Sequence, residues 1–260
     1  MGNFFTGPIS TVDQQLLSVG RTRTGRVGFG GTYTRTSGTG PTATASFGSG
    51  SFSLNLGAGT AAASHAKFGF YDPLETFIQG GASTIDYSKR IRFAISGAMY
   101  MASTNSKIRI VFSGTGNATN APFADQNGLT VKGFGVEFAL QSSIIQGRLI
   151  GFNSAYLTPT SYTTLTNGFG ASASDNRFFA CMIESDGTGN INLYAGNSST
   201  VPNVGISPTP LLTLTGGPVN ATSSNRFGPE IQCVNDSTVA PTSSRAAELQ
   251  SFGSWLLDVQ

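Results

Sequence analysis

The chain has 260 residues, a formal net charge of +2, and only 11% charged side chains; it contains one histidine, two cysteines and 34 glycines. Acids, bases, thiols and imidazoles, from which most catalytic and metal sites are built, are scarce, which argues against catalysis and for packing or binding. Hydrophobic content of 38% with 19 Phe excludes wholesale disorder, and the small net charge excludes electrostatic nucleic-acid binding over the whole surface.

The N-terminus MGNFFTGPIS has no basic segment leading into an apolar one, so it does not read as a secretory signal. Met1–Thr6 matches a short myristoylation pattern, for which a plain polar terminus is the simpler reading. No apolar run approaches the roughly 18 residues that span a bilayer. Asn-X-Ser/Thr triplets begin at Asn117, Asn197, Asn220 and Asn235, as expected by chance in a chain this rich in those residues. Next, Ser10, Asp13 and Gly20 flank Val12–Leu17 as cap, first-turn acid and stop signal, predicting a helix of one or two turns that needs a docking partner.

Residues 21–64 are Gly-, Ser- and Thr-rich and alternate at period two, which predicts extended chain. Their few apolar side chains cannot form a core, so pairing with a sheet or a neighbouring subunit is expected; a flexible linker is the plain alternative. Residues 1–64 are thus expected as an attachment arm and 65–260 as the folded domain. The arm is the basic end: residues 1–70 hold five cations against Asp13, a net of +4. Arg21, Arg23, Arg26 and Arg35 are candidate subunit-interface residues, suited by their planar forks to carboxylates, carbonyls and aromatic faces.

Beyond residue 67 the alternation strengthens. Ile91/Phe93/Ile95, Ile108/Ile110/Phe112 and Phe134/Val136/Phe138/Leu140 each predict a strand with one apolar face, and Leu149–Phe152 a further short one. Phe178–Ile183 leads through Ser185-Asp186-Gly187-Thr188-Gly189 into Ile191–Tyr194, a hairpin signature. Leu211–Leu214, Phe227–Val234 and Phe252–Val259 complete the strands, with a helical turn expected near Ser244–Gln250. Alternating strands without crossover helices imply an antiparallel sandwich.

No constellation stands out chemically. Glu184 and Asp186 are two apart at a strand end, with Glu137 on another strand; a glycosidase pair could be built this way, but turn or solvent roles are the plainer reading. His65 has no nucleophile beside it and reads as a surface or interface residue. Asp125-Gln126-Asn127-Gly128 and Asp175-Asn176 read as turns rather than calcium loops. Cys181 and Cys233 sit in apolar runs and read as buried free thiols, with a disulfide as the alternative. No catalytic residue, metal or cofactor is assigned.

The hairpin Arg177–Gly187 through Ile191–Tyr194, the preceding Gly133–Phe138 and the closing Phe252–Val259 resemble the concanavalin A-like jelly-roll sandwiches, a likeness of pattern over roughly residues 86–260. That family's metal loop and catalytic acids have no counterpart here. The low-charge style with an N-terminal docking tail looks like tailed-phage virion proteins: fibres, decoration proteins and tail attachments. The resemblances imply an all-β fold, an antiparallel β-sandwich of jelly-roll type with an extended N-terminal arm. They also imply a non-enzymatic structural role in a virion, with identical subunits in a ring or trimer and other virion proteins as partners. A host-surface glycan is a further candidate partner. A jelly-roll capsid shell protein with its arm toward the genome, and a lectin-like carbohydrate-binding module, are the alternatives.

Overall fold

In the computed structural model the residues described are 32–35, 42–48, 51–69, 84–114, 131–164, 177–196, 209–223, 227–236, 238–241, 247–252 and 256–259. Among them there is no helix. The alternation seen in the sequence becomes two antiparallel sheets facing each other across one apolar layer.

One sheet has six strands in the order β1 (Thr32–Arg35), β4 (His65–Gly69), β14 (Phe227–Asn235), β7 (Ser106–Gly114), β8 (Gly133–Gln141) and β9 (Ile144–Phe152). The other runs β12 (Leu212–Thr215), β11 (Asn190–Gly196), β10 (Arg177–Ser185), β6 (Ile91–Met101), β15 (Ala247–Phe252), β3 (Ser51–Gly57) and β2 (Thr42–Gly48). Its eighth strand, β16 (Leu256–Val259), also pairs with β6. A two-stranded ribbon joins β13 (Thr222–Ser223) to β5 (Thr84–Ile85).

Register explains the core. Ile108, Ile110 and Phe112 of β7 stand opposite Phe138, Val136 and Phe134 of β8, so six apolar side chains line up on one face. Phe112 and Phe134 stack at 5.4 Å between ring centroids, and Tyr87 meets both edge-on at 6.4 and 6.3 Å. Tyr87 is fully buried yet donates its hydroxyl to the Lys132 carbonyl at 2.9 Å, satisfying the one polar atom it brings inside. The facing sheet contributes Ile91, Met99, Cys181, Ile183, Ile191 and Leu193 to the same cluster.

The β10–β11 hairpin forms where the sequence places it, around Gly187 (φ 84°) and Gly189 (φ 97°). Cys181 and Cys233 are buried free thiols on different sheets, and burial pushes the Cys181 thiol up. Three expectations need correction. The helical turn near 244–250 is not formed at 247–250, which belong to β15; ladders to both β6 and β3 outweigh the local helical preference of Ala-Ala-Glu. The short strand at 149–152 is the end of the nine-residue β9, joined to β8 by Ser142 and Ser143, both in left-handed backbone (φ 50° and 67°). The run expected at 252–259 falls in two strands: Phe252 ends β15, opposite Ser53 of β3, and Leu256–Val259 form the separate strand β16 on β6. Residues 42–57, expected within the arm, contribute β2 and β3 to the eight-stranded sheet of this same chain. The helix expected at 12–17 lies outside the described residues.

Two consecutive left-handed residues define the tight turn normally served by Asn-Gly, and serine adopts that backbone at a cost of roughly 1–2 kcal/mol per residue. Replacing Ser142→Asn together with Ser143→Gly is therefore expected to raise stability by about 1 kcal/mol, after the added unfolded-state entropy of glycine. Urea denaturation should show the midpoint rising with an unchanged slope.

Candidate functional site

Strand parity sends alternate residues of the six-stranded sheet away from the core. Arg109 lies between Ile108 and Ile110, Glu137 between Val136 and Phe138, and Arg148 just before Leu149. Register places Arg109 opposite Glu137 and Glu137 opposite Arg148, so a carboxylate is flanked by two guanidiniums on neighbouring strands. Glu137 is wholly buried. Its carboxylate accepts from Arg109 Nε at 2.8 Å, from Arg148 Nε and Nη2 at 2.9 and 2.7 Å, and from the Tyr162 hydroxyl at 2.6 Å. Lys107 Nζ lies 3.5 Å away.

Tyr162 arrives there because the chain after β9 turns back along it. Gly147 and Thr163 exchange backbone hydrogen bonds of 3.0 and 2.9 Å. The Arg148 guanidinium then stacks 4.6 Å from the Tyr162 ring centroid. Burial alone would raise the pKa of Glu137, but the charges of Arg109, Lys107 and Arg148, with the Tyr162 hydrogen bond, overcome it and lower it to about 2. Burial lowers the pKa of Lys107, against the opposing pull of Glu137, and burial raises that of Tyr162, with the Glu137 charge adding to it.

The eight-stranded sheet carries a second cluster built the same way. Arg92, Glu184, Asn192 and Thr213 sit side by side on β6, β10, β11 and β12. Arg92 Nε donates to Glu184 at 2.8 Å, Asn192 and Tyr194 donate to its other oxygen at 3.2 and 3.1 Å, and Thr213 donates to Asn192 at 2.9 Å. Burial first, then the negative Glu184, push the Tyr194 phenol up to about 12.

Glu184 is therefore not the turn or solvent residue expected from sequence; it is 5% exposed, because strand parity points it beneath neighbouring polar side chains. Asp186 does serve the turn: it accepts from Thr188 N at 2.7 Å and Asn190 N at 3.1 Å. Burial alone would raise its pKa, but the hydrogen bonds from Asn190 and Thr188 together outweigh it and lower it. Glu137 and Glu184 occupy different sheets, on the faces turned away from the shared core, so these acids do not converge as a hydrolytic pair. His65, expected at the surface or an interface, is 7% exposed at the start of β4, opposite Val234 of β14, with its Nδ1 3.4 Å from the Ala63 carbonyl. Arg35 ends β1 opposite Ala66, while Arg21, Arg23, Arg26 and the two turn motifs at 125–128 and 175–176 lie outside the described residues.

What the arrangement can do chemically is limited. A carboxylate held near pKa 2 is a poor proton donor and a weak base at neutral pH, and its lone pairs are occupied. These clusters fix strands relative to one another. The Glu137 cluster was missed in the sequence because its members are spread over 56 residues; the available signal was a single charge at the odd position of three apolar runs, Ile-Arg-Ile, Val-Glu-Phe and Gly-Arg-Leu.

Replacing Glu137→Gln leaves buried guanidiniums without their counter-charge, and a loss of about 3–5 kcal/mol is expected. The native pKa lies below the ordinary carboxylate value, so the stabilisation is full above about pH 4.5 and disappears as pH falls toward 2. Urea titrations from pH 7 to pH 2.5 should show this fall in the parent and a flatter profile in the variant.

No family model matches the chain, and no curated protein matches it in sequence. Among solved structures it is similar to a seed lectin from Lotus tetragonolobus, at 10% identity and TM-score 0.46, over 88% of this chain and 96% of the lectin. A legume lectin-like domain from Entamoeba histolytica gives 8% identity and TM-score 0.45, over 87% and 89% of the two chains. An alginate lyase from Pseudomonas aeruginosa gives 10% and 0.43, over 80% and 82%. These neighbours are concanavalin A-like jelly-roll folds, and this chain is an all-β antiparallel sandwich.

Proposed function

We propose that the chain is a non-enzymatic structural protein of a virion, a fibre, decoration or tail-attachment component that acts by assembling with identical copies. The observation that supports the non-enzymatic part is the saturation of Glu137 and Glu184: each is held by cations, amide or phenol donors and buried. Such carboxylates stiffen a sheet; they do not transfer protons. The virion part rests on composition, since a chain poor in charge and rich in Gly, Ser, Thr and Asn suits β-structure that works through shape and symmetric contact. The chain purified in solution should run as a defined homo-oligomer by native mass spectrometry, and gradient-purified particles should contain it in many copies per particle. A monomer absent from particles would remove this reading.

One local feature favours a second reading, carbohydrate binding. Tyr156 is 37% exposed and meets Phe152 edge-on at 5.2 Å. The Asn153 amide lies 3.5 Å from the carbonyls of Gly216 and Gly217, at the end of β12, where Thr213 and Thr215 are exposed. An exposed aromatic ring with an amide three residues before it, reaching the end of a strand that carries exposed threonines, suits the two sides of a sugar ring, one apolar and one polar. On a glycan array, Tyr156→Ala should reduce any bound signal by about tenfold, equivalent to roughly 1.4 kcal/mol. An array on which the parent chain binds nothing excludes this second role.

A further inference from the structure

Among the described residues the two sheets have five outer strands, and they are not equivalent; β16 is four residues long and carries Asp258. The edge of β9 is occupied by its own chain: Gly147, Leu149 and Gly151 make backbone hydrogen bonds of 2.9–3.3 Å with Thr163, Thr160 and Leu157. β12 and β1 span four residues each, and β1 ends in Arg35; short or charged strands are the usual means of keeping an edge from pairing further. β2 has neither protection. It runs for seven residues, Thr-Ala-Thr-Ala-Ser-Phe-Gly, with no charge and no proline, and among the described residues its only ladder is to β3.

The strand also has a pattern that fits itself. Register opposes Ala43 to Leu56, Leu56 to Leu249 and Leu249 to Met99, which is buried in the core, so positions 43, 45 and 47 share the inward parity. Positions 42, 44, 46 and 48 share the outward parity. In an antiparallel pair of two β2 strands centred on Ala45, position 44 meets 46, 43 meets 47 and 42 meets 48. Every inward position then meets an inward one and every hydroxyl-bearing position meets an outward one, which a one-residue slip would abolish. With no charge in the strand, symmetry brings no like charges together. A second copy supplies the matching length and pattern by identity, whereas an unrelated partner would have to reproduce both.

We infer that β2 is a self-association edge: two copies pair their Thr42–Gly48 strands antiparallel about a two-fold axis at Ala45, joining their eight-stranded sheets into one. This rests on the assembly reading above and assigns it a surface and a symmetry.

The full-length chain tests it with two charge variants and two cysteine variants. In Thr44→Lys with Ser46→Lys, each lysine faces a lysine of the other copy, and association measured by sedimentation equilibrium should weaken by at least about tenfold. In Thr44→Lys with Ser46→Glu, each lysine faces a glutamate, and association should return to within about threefold of the parent. Oxidation should give a covalent dimer with Ala45→Cys, whose two copies lie directly opposite at about 4.5–5.5 Å between Cα atoms. It should give none with Ala43→Cys, whose copies are four residues out of register, about 13 Å apart. Association of the Lys/Lys variant equal to the parent, no recovery with Lys/Glu, or cross-linking of Ala43→Cys as readily as Ala45→Cys overturns the β2 edge and leaves assembly by another surface standing. A parent chain that is monomeric at all concentrations overturns both. Should the charged variants not fold, failure of Ala45→Cys to cross-link decides against the edge.

Discussion

Burial on both faces of β8 is the constraint on which the rest of this sandwich depends. Eight of its nine residues are buried, although only every second one faces the other sheet. The inward side chains meet an apolar layer, so nothing there needs special arrangement beyond volume. The outward ones are also shut off from water, and each polar group among them must find its partners inside the protein or cost several kcal/mol. Glu137 resolves this with two arginines, a lysine and a phenol. Those partners exist only if β7, β8 and β9 hold one register, because a one-residue slip would put Phe138 in the ionic cluster and Glu137 in the core. Gly135 belongs to the same constraint: a Cβ there would strike the Ile110 carbonyl and stand 2.7 Å from Val111 Cγ1.

The recurrence of the device on the other sheet argues that it is a general solution rather than an accident. Arg92 and Glu184 are cross-strand partners in the same sense as Arg109 and Glu137, and each glutamate is further held by an aromatic hydroxyl, Tyr194 in one case and Tyr162 in the other. A small number of charges, placed in rows across central strands, gives each sheet a specific pairing that apolar alternation alone would leave degenerate. The low charge content of the chain therefore understates how much its charges decide.

Much of this was legible in the sequence, and the failures have physical causes. Period two marked β6, β7, β8, β10 and β11, and Asp186-Gly187 marked the hairpin between β10 and β11. β9 was read too short because Ser142-Ser143 carries none of the chemistry that usually announces a turn of positive φ. Residues 247–250 were read as helical because Ala-Ala-Glu favours a helix locally, while the ladders on both sides come from residues far away in the chain. His65 was placed at a surface or interface and Glu184 in a turn or in solvent because sequence reports what a residue is, and burial depends on what packs over it. The ionic clusters required three strand registers at once, none of which is written in any single segment.

β6 has an uneven history along its two edges. On one side β10 covers it from Ile91 to Met99 as a single ladder; on the other, β15 takes Gly97–Met101 and β16 takes Ile91–Ala94. β3 and β2 reach the sheet only through β15. During synthesis, then, β6 must wait with an open edge until residues 247–259 emerge, and the early hairpin β2–β3 has nowhere in this sheet to dock before that. Closing ladders across such sequence separations is slow, and an open central strand is the kind of surface chaperones bind. The sheet is completed by a segment made late, so a ribosome that stalls before residue 247 would leave a half-sheet with its longest strand bare on one side.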